Sequence, residues 1–511
     1  MGVVIHRPPI KAENFVVPVP KAEYIPRTDI SVPFNAADRQ TDPMNLSLSG
    51  YCEEEYFLSG TCNVYSFGPQ RGDTTYIKVE NAPYKDRILV RKPIDPNNFS
   101  GTILVEMMNN AFFMDNPEAG WGALYPYLLS RGDAWVGLSV KDDAINALKK
   151  YDPARYSTLS LANPIPKEMR GEIKQAYHFK VDPECENGLI YDIMSQTAAL
   201  FRSDSDESPF SEYDVRFLYA TGATAGDMTA YAGFVHNYSR QPNGKTIYDG
   251  LQIFMTGSPN TLNNEEKNIV VPNPLCFIDS IAPCFRLNTL GDMLGAGAHP
   301  DYAAAQRRDD QDDPVYRVYE TSGAGLGIRR DIAIMENRED AEKAGGRWLD
   351  QKPKLPYHAF PMQMILRACF DNLKKYCEKK ILPPVADKLE FSGSYPDMQF
   401  VLDEFGNVKG GIRSSFVDVP IAEYIWDGTI IPFSKEKLRT LYKTHTNYVF
   451  LVAKACERQV EARFLLPEDA LAIIKQSLEF NIDDDAFMDS VTSEIGEDTY
   501  GMLTTSTNGQ K

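Results

Sequence analysis

The segment that most narrows the choice of fold is Val215–Tyr231, VRFLYATGATAGDMTAY. An apolar stretch that reads as a strand, Val215–Thr221, runs into Gly222-Ala223-Thr224-Ala225-Gly226, and a helical pattern follows. Strand, G-x-[S/T]-x-G, helix is the geometry of a nucleophile elbow, in which glycines allow a turn sharp enough to lift the central side chain above a sheet. The helix that leaves such a turn presents backbone N–H groups, Ala225 among them, to a developing negative charge. The hydroxyl at the apex belongs to Thr224, whose β-branch stiffens χ1 and carries a steric cost in strained backbone. That hydroxyl also needs a base before it can attack anything.

The rest of the chain supplies a sheet for the elbow. Tyr76–Glu80 and Arg87–Arg91 read as strands ended by Pro83 and Pro93, and Thr102–Met107 reads as a strand buried on both faces. Ala134–Val140, Leu251–Thr256, Phe285–Thr289 and Val315–Tyr319 read as further strands. Helical patterns at Trp121–Ser130, Ile190–Phe201 and 361–380 lie between and after them. Lys435–Gln476 holds two more helical stretches, one of them starting at Pro467. Strands that alternate with helices imply an α/β protein with a mostly parallel central sheet. Residues 1–50, rich in proline and polar groups, read as an arm over the body, and 51–480 as the folded domain. Within that domain a polar insertion at about 141–187 is placed to act as a lid over the strand ends, and about 336–480 form a C-terminal helical elaboration. Residues 481–511 read as a tail.

Charge narrows the partners. The 53 Lys+Arg against 71 Asp+Glu leave a formal charge of −18, whereas nucleic-acid binding needs a dense basic face. No apolar run approaches the roughly 18–20 residues of a membrane span, and no secretory signal is visible at the start, so neither membrane nor export is expected and the cytoplasm is. Eight cysteines, at 52, 62, 185, 276, 284, 369, 377 and 456, form no CxxC pair. The spacings Cys52/Cys62 and Cys276/Cys284 permit disulfides in an oxidising compartment, with buried free thiols the plainer reading. With six histidines no zinc-ligand spacing arises, and neither a metal nor another cofactor is expected.

Several stretches beyond the elbow carry a resemblance. They are Glu55-Tyr56-Phe57-Leu58-Ser59-Gly60-Thr61, Arg87-Ile88-Leu89-Val90-Arg91-Lys92-Pro93, Val105-Glu106-Met107-Met108-Asn109 and Arg131-Gly132-Asp133-Ala134-Trp135-Val136-Gly137. Gly410-Gly411-Ile412-Arg413, Val417-Asp418-Val419-Pro420 and Phe464-Leu465-Leu466-Pro467-Glu468-Asp469-Ala470 follow near the end. Together, from Glu54 to Ser477, the chain resembles a family of long α/β-hydrolase-domain proteins of bacteria and filamentous fungi. The resemblance implies an α/β-hydrolase fold. It also implies a serine where Thr224 stands, an acid at Asp292 in Thr289-Leu290-Gly291-Asp292, and a histidine where Leu326 stands in Tyr319-Glu320-Thr321-Ser322-Gly323-Ala324-Gly325-Leu326. The acid is kept, while nucleophile and base are both replaced. Loss of one triad member costs about 10⁴–10⁶ in rate.

A base could come from elsewhere: His299 lies seven residues after Asp292, and His358 precedes the helix at 361–380. Asn109 and Asn110 end the Thr102–Met107 strand, where such folds place an oxyanion donor, although a turn-forming pair fits them too. Phe112 and its aromatic neighbours suit an apolar ligand wall as well as a core. Asp227 is explained by the dipole of its helix, and Glu106, inside an apolar strand, is expected to be paired. The glycine-rich stretch 322–327 lacks the lysine of a phosphate loop and reads as the remnant of the histidine loop. The acidic run 308–313 reads as a solvated turn.

The reading that follows is a degenerate triad on a hydrolase fold, turned to non-hydrolytic work. A hydrophobic small molecule would undergo cyclisation, isomerisation or elimination, as in natural-product biosynthesis. An esterase or lactonase using Thr224, and a binding protein without turnover, are the alternatives. A homo-oligomer is compatible with the sequence.

Overall fold

The computed structural model describes residues 2–67, 74–174, 181–223, 225–255, 261–266, 280–293, 315–325, 335–348, 355–393 and 397–492. Its backbone divides into two units, Met1–Cys284 with 313–315 and 333–349, and Phe285–Asp312 with 316–332 and 350–511.

The first unit is built on the strands β1 (Val4–Lys11), β2 (Lys21–Tyr24), β3 (Tyr51–Phe67), β4 (Thr75–Pro93), β5 (Thr102–Met107), β6 (Ala134–Leu138), β7 (Phe217–Gly222) and β8 (Gly250–Phe254). They run in the order β8-β7-β5-β6-β4-β3-β2, with β1 also on β4. The β8, β7, β5 and β6 strands are mutually parallel, and every residue of β5, β6 and β8 is buried. Burial on both faces explains why β5 and β6 lack the alternation of a half-exposed strand. Helices α1 (Ala123–Arg131) and α3 (Ile190–Phe201) lie between these strands in sequence, α3 with the bounds its apolar spacing predicts and with every residue buried. The α2 helix (Lys141–Tyr151) opens the insertion that follows β6.

Pro83 does not end a strand. Tyr76–Glu80 and Arg87–Arg91 are the two halves of β4, which pairs with β3 from Thr75 to Pro93. On its other side β4 meets β1 between Tyr76 and Glu80 and β6 between Ile88 and Arg91. Pro83 falls between those two partners, where one edge of the strand is open and a missing N–H costs the sheet nothing.

The polar side chains inside this unit hold the N-terminal segment. Glu55, fully buried, accepts from Arg87 Nε at 2.6 Å, from Arg155 Nε at 2.6 Å and from the Tyr156 hydroxyl at 2.7 Å. The same arginines reach backbone carbonyls between β2 and β3: Arg87 donates to Phe34 O at 2.5 Å and Arg155 to Pro26 O at 2.8 Å. Arg91 donates to Asn35 O at 2.6 Å, with its guanidinium 4.3 Å from the Trp121 ring centre.

The strands β9 (Cys284–Asn288), in the second unit from Phe285 on, and β10 (Tyr316–Glu320) are neighbours. Helix α4 (Met362–Lys379) follows. The predicted pair of helices over Lys435–Gln476 is three: Lys435–Tyr442, His445–Glu461 and Pro467–Glu479. The first break falls at Lys443, whose φ of 68° cannot continue a helix, and Thr444 then caps the second by accepting from Asn447 N at 3.2 Å. Pro467 sits in the first turn, as expected.

Seven cysteines are free thiols, and Cys276 lies outside the described residues. No helix among the described residues is long and apolar enough to cross a membrane.

Candidate functional site

In the register of the first unit Met107 of β5 pairs with both Leu138 of β6 and Gly222 of β7. The carboxyl ends of three parallel strands are therefore level, the edge at which such sheets bind ligands. Asn110, Lys141 and Ala225 each stand third beyond those paired residues. Gly222 is required where it is: a Cβ there would lie 2.8 Å from the Met107 carbonyl oxygen and 2.9 Å from Met228 Cγ. The strand thus runs close against its neighbour, and the elbow helix Ala225–Ala230 begins three residues later. Thr224, the central residue of the motif, lies outside the described residues.

Asp227, in the first turn of that helix, has more than a helix dipole for company. Its Oδ2 lies 2.5 Å from Lys141 Nζ and its Oδ1 accepts from the Tyr191 hydroxyl at 3.1 Å; Tyr191 also lies 2.9 Å from the Thr261 carbonyl oxygen. Asp227 and Tyr191 are 2% and 1% exposed. Lys141 has φ 63°, in the left-handed region that a residue with a Cβ adopts at a cost. Neither Lys141 nor Tyr191 was legible as a site residue, because nothing in a single lysine after a strand, or in a helical tyrosine, signals a partner far along the chain.

The two asparagines after β5 behave differently. Asn109 is consumed by its own loop: its N–H donates to Asn116 O at 2.9 Å, its side-chain amide to Glu118 Oε2 at 2.7 Å, and its Oδ1 accepts from Ala111 N at 2.9 Å. Asn110 is 5% exposed, and its side-chain nitrogen has no hydrogen-bond partner among the described residues. Phe112 is buried beside them and its carbonyl accepts from Arg347 N at 2.8 Å. Glu106, as expected, is paired: its carboxylate accepts from Gly120 N, Trp121 N and Trp135 Nε1 at 2.8–2.9 Å. Burial raises its pKa to about 7.

In the second unit Asp292 is held by a turn with Thr289. Its Oδ2 accepts from Thr289 N at 2.7 Å and from the Thr289 hydroxyl at 2.9 Å, and the residue is 2% exposed. That turn is tied to the loop after β10, since Leu290 N donates to Ala324 O and Thr321 N to Asn288 O. Gly323 makes the loop at φ 93°, and a Cβ there would lie 2.7 Å from Phe360 and Val417 side chains. The acid is thus beside the stretch that runs toward position 326, but Leu326 itself lies outside the described residues, as do His299 and the acidic run 308–313. His358 is 1% exposed, edge-on to Phe480 at 5.4 Å, and neither ring nitrogen has a partner among the described residues. Burial lowers its pKa to about 4, so the ring is neutral at physiological pH. No group of three or more histidine, cysteine or carboxylate side chains among the described residues is arranged to hold a metal.

The alpha/beta hydrolase domain family matches residues 17–475 of the chain. Among solved structures, a proposed dienelactone hydrolase from Klebsiella pneumoniae is 12% identical, with a TM-score of 0.28 over 57% of this chain and 95% of that one. A proposed carboxylesterase from Lactobacillus plantarum is 11% identical, with a TM-score of 0.26 over 46% of this chain and 81% of that one. No curated protein matches the chain.

Proposed function

This chain belongs to the alpha/beta hydrolase domain family, and we propose that it uses the fold for non-hydrolytic work on a hydrophobic small molecule. The reaction is a cyclisation, isomerisation or elimination of the kind natural-product biosynthesis requires. What supports the reading is that Asp292 accepts two hydrogen bonds from Thr289, while the positions at which the resemblance implies a nucleophile and a base hold Thr224 and Leu326. Leucine cannot move a proton, so an acyl-enzyme cycle lacks its base. Reactions that need only shape, exclusion of water and a few hydrogen bonds do not require that cycle. Asp292, His299 or His358 serves as the proton shuttle.

A fluorophosphonate probe tests the proposal on the full chain. No labelling of Thr224 is expected at probe concentrations that fully label a serine esterase. Stoichiometric adduct at Thr224, located by peptide mass spectrometry, would overturn it in favour of an esterase or lactonase.

A further inference from the structure

The carboxyl edge of β5, β6 and β7 carries two hydrogen-bond donors that the elbow motif does not explain. One is the Lys141 ammonium, held 2.5 Å from Asp227 on the elbow helix itself. Its backbone sits at φ 63°, and a strained residue with a Cβ persists only where the surrounding structure insists on it, a pattern that clusters at functional sites. The other is the Asn110 side-chain nitrogen, 95% buried with its residue and without an acceptor among the described residues. A buried donor left unmade is costly, so such groups are usually completed by water or by a ligand. Both follow the same edge of the sheet: Asn110 and Lys141 each stand three residues past Met107 and Leu138, which pair in adjacent parallel strands. The Lys141–Asp227 pair is neutral as a whole, so what its ammonium brings to this edge is N–H donors, which an anionic oxygen satisfies best.

We propose that Lys141 is a substrate-binding residue whose ammonium, oriented by Asp227, receives an anionic oxygen of the substrate, with Asn110 Nδ2 as a second donor. The substrate is then an apolar molecule bearing a carboxylate or the enolate oxygen of a 1,3-dicarbonyl. This rests on the small-molecule reading above and adds its charge. Tyr191 is a positioning residue: its hydroxyl fixes the far oxygen of Asp227, which in turn fixes the ammonium.

The test compares two fluorescent probes of similar apolar bulk on the full chain: the anion 1-anilinonaphthalene-8-sulfonate and the neutral N-phenyl-1-naphthylamine. The variant Lys141→Met with Asp227→Asn removes the pair without stranding a buried charge, and Asn110→Asp places a repelling carboxylate on the same edge. Each is expected to weaken the anion by about ten- to a hundredfold, the worth of one charge-assisted hydrogen bond, and to leave the neutral probe unchanged. Equal weakening of both probes, or of neither, by a folded variant would overturn the inference. Should the double variant fail to fold, Asn110→Asp alone decides between the two outcomes. Failure of the unmodified chain to bind either probe would overturn the small-molecule reading itself and this inference with it.

Discussion

Trp135 Nε1 donates to Glu106 Oε2 at 2.9 Å from one central strand to the next, so a carboxylate in the middle of the sheet is met by an indole. The backbone N–H groups of Gly120 and Trp121 complete the set, and their π-turn, Glu118–Gly122, is shaped around that carboxylate. Gly120 permits the approach, since a Cβ there would lie 2.3 Å from Glu106 Oε2.

Glu106→Gln therefore turns an acceptor surrounded by donors into an amide with one N–H₂ facing an N–H. The expected cost is about 1–3 kcal/mol, the penalty of a buried unmade hydrogen bond, read as a lower midpoint in urea at unchanged slope. Glu106→Leu strands all three donors and is expected to cost more. A Glu106→Gln midpoint equal to the parent's would show that the carboxylate is not what the turn is built on.

Two of the arginines that grip the N-terminal segment share one buried acid. Glu55 holds Arg87 and Arg155 in place, and these grip the carbonyls of Phe34 and Pro26. Glu55→Gln removes the counter-charge of Arg155 and leaves Arg87 only Asp115 at 3.4 Å, a loss of about 3–5 kcal/mol for a broken buried pair. Its particular signature is local: trypsin should cut after Arg27, in the released arm, faster than in the parent under native conditions. A destabilised variant with unchanged cleavage at Arg27 would show that the arm is held by something other than this acid.

What could be read from the chain was governed by distance along it. The periodicity of Ile190–Phe201 and the apolar run Thr102–Met107 are local signals, and both elements have the bounds those signals predict. Pro83 misled because a proline reports only its own missing N–H, while its tolerance depends on which strands lie beside β4. The break at Lys443 escaped notice because an unfavourable φ has no residue signature when the residue is lysine. Asp292 was singled out only by the resemblance; its turn with Thr289, three residues away, is a local contact that no reading of the residues had named. The Lys141–Asp227 pair was not legible, because α2 and the elbow helix meet only once β6 and β7 are in register with β5. The difference between Asn109 and Asn110 is likewise invisible in an Asn-Asn dipeptide; it exists only after Glu118 has claimed the first of them.

His358 yields a prediction whose sign can be fixed in advance. Its pKa falls from 6.5 to about 4 on burial, so the unfolded chain takes up a proton before the folded one does. Stability from this residue is complete above pH 6.5 and is lost as pH falls toward 4. Glu106 acts in the opposite direction. Burial raises its pKa from 4.5 to about 7, so its contribution is complete below 4.5 and is lost as pH rises toward 7. The two trends oppose each other in the parent, and a simple pH–stability curve would hide both. His358→Phe separates them, because the new ring fits the aromatic surroundings of Phe480 and titrates nowhere, while Glu106 is unchanged and cancels in the difference. The gap between variant and parent in unfolding free energy is expected to widen in favour of His358→Phe by about 3 kcal/mol between pH 7 and pH 4, the free-energy equivalent of the shift. A gap that stays constant with pH would mean that the ring finds a proton acceptor in the folded chain. His358 would then be a group able to hold a proton, and the stronger candidate for the shuttle.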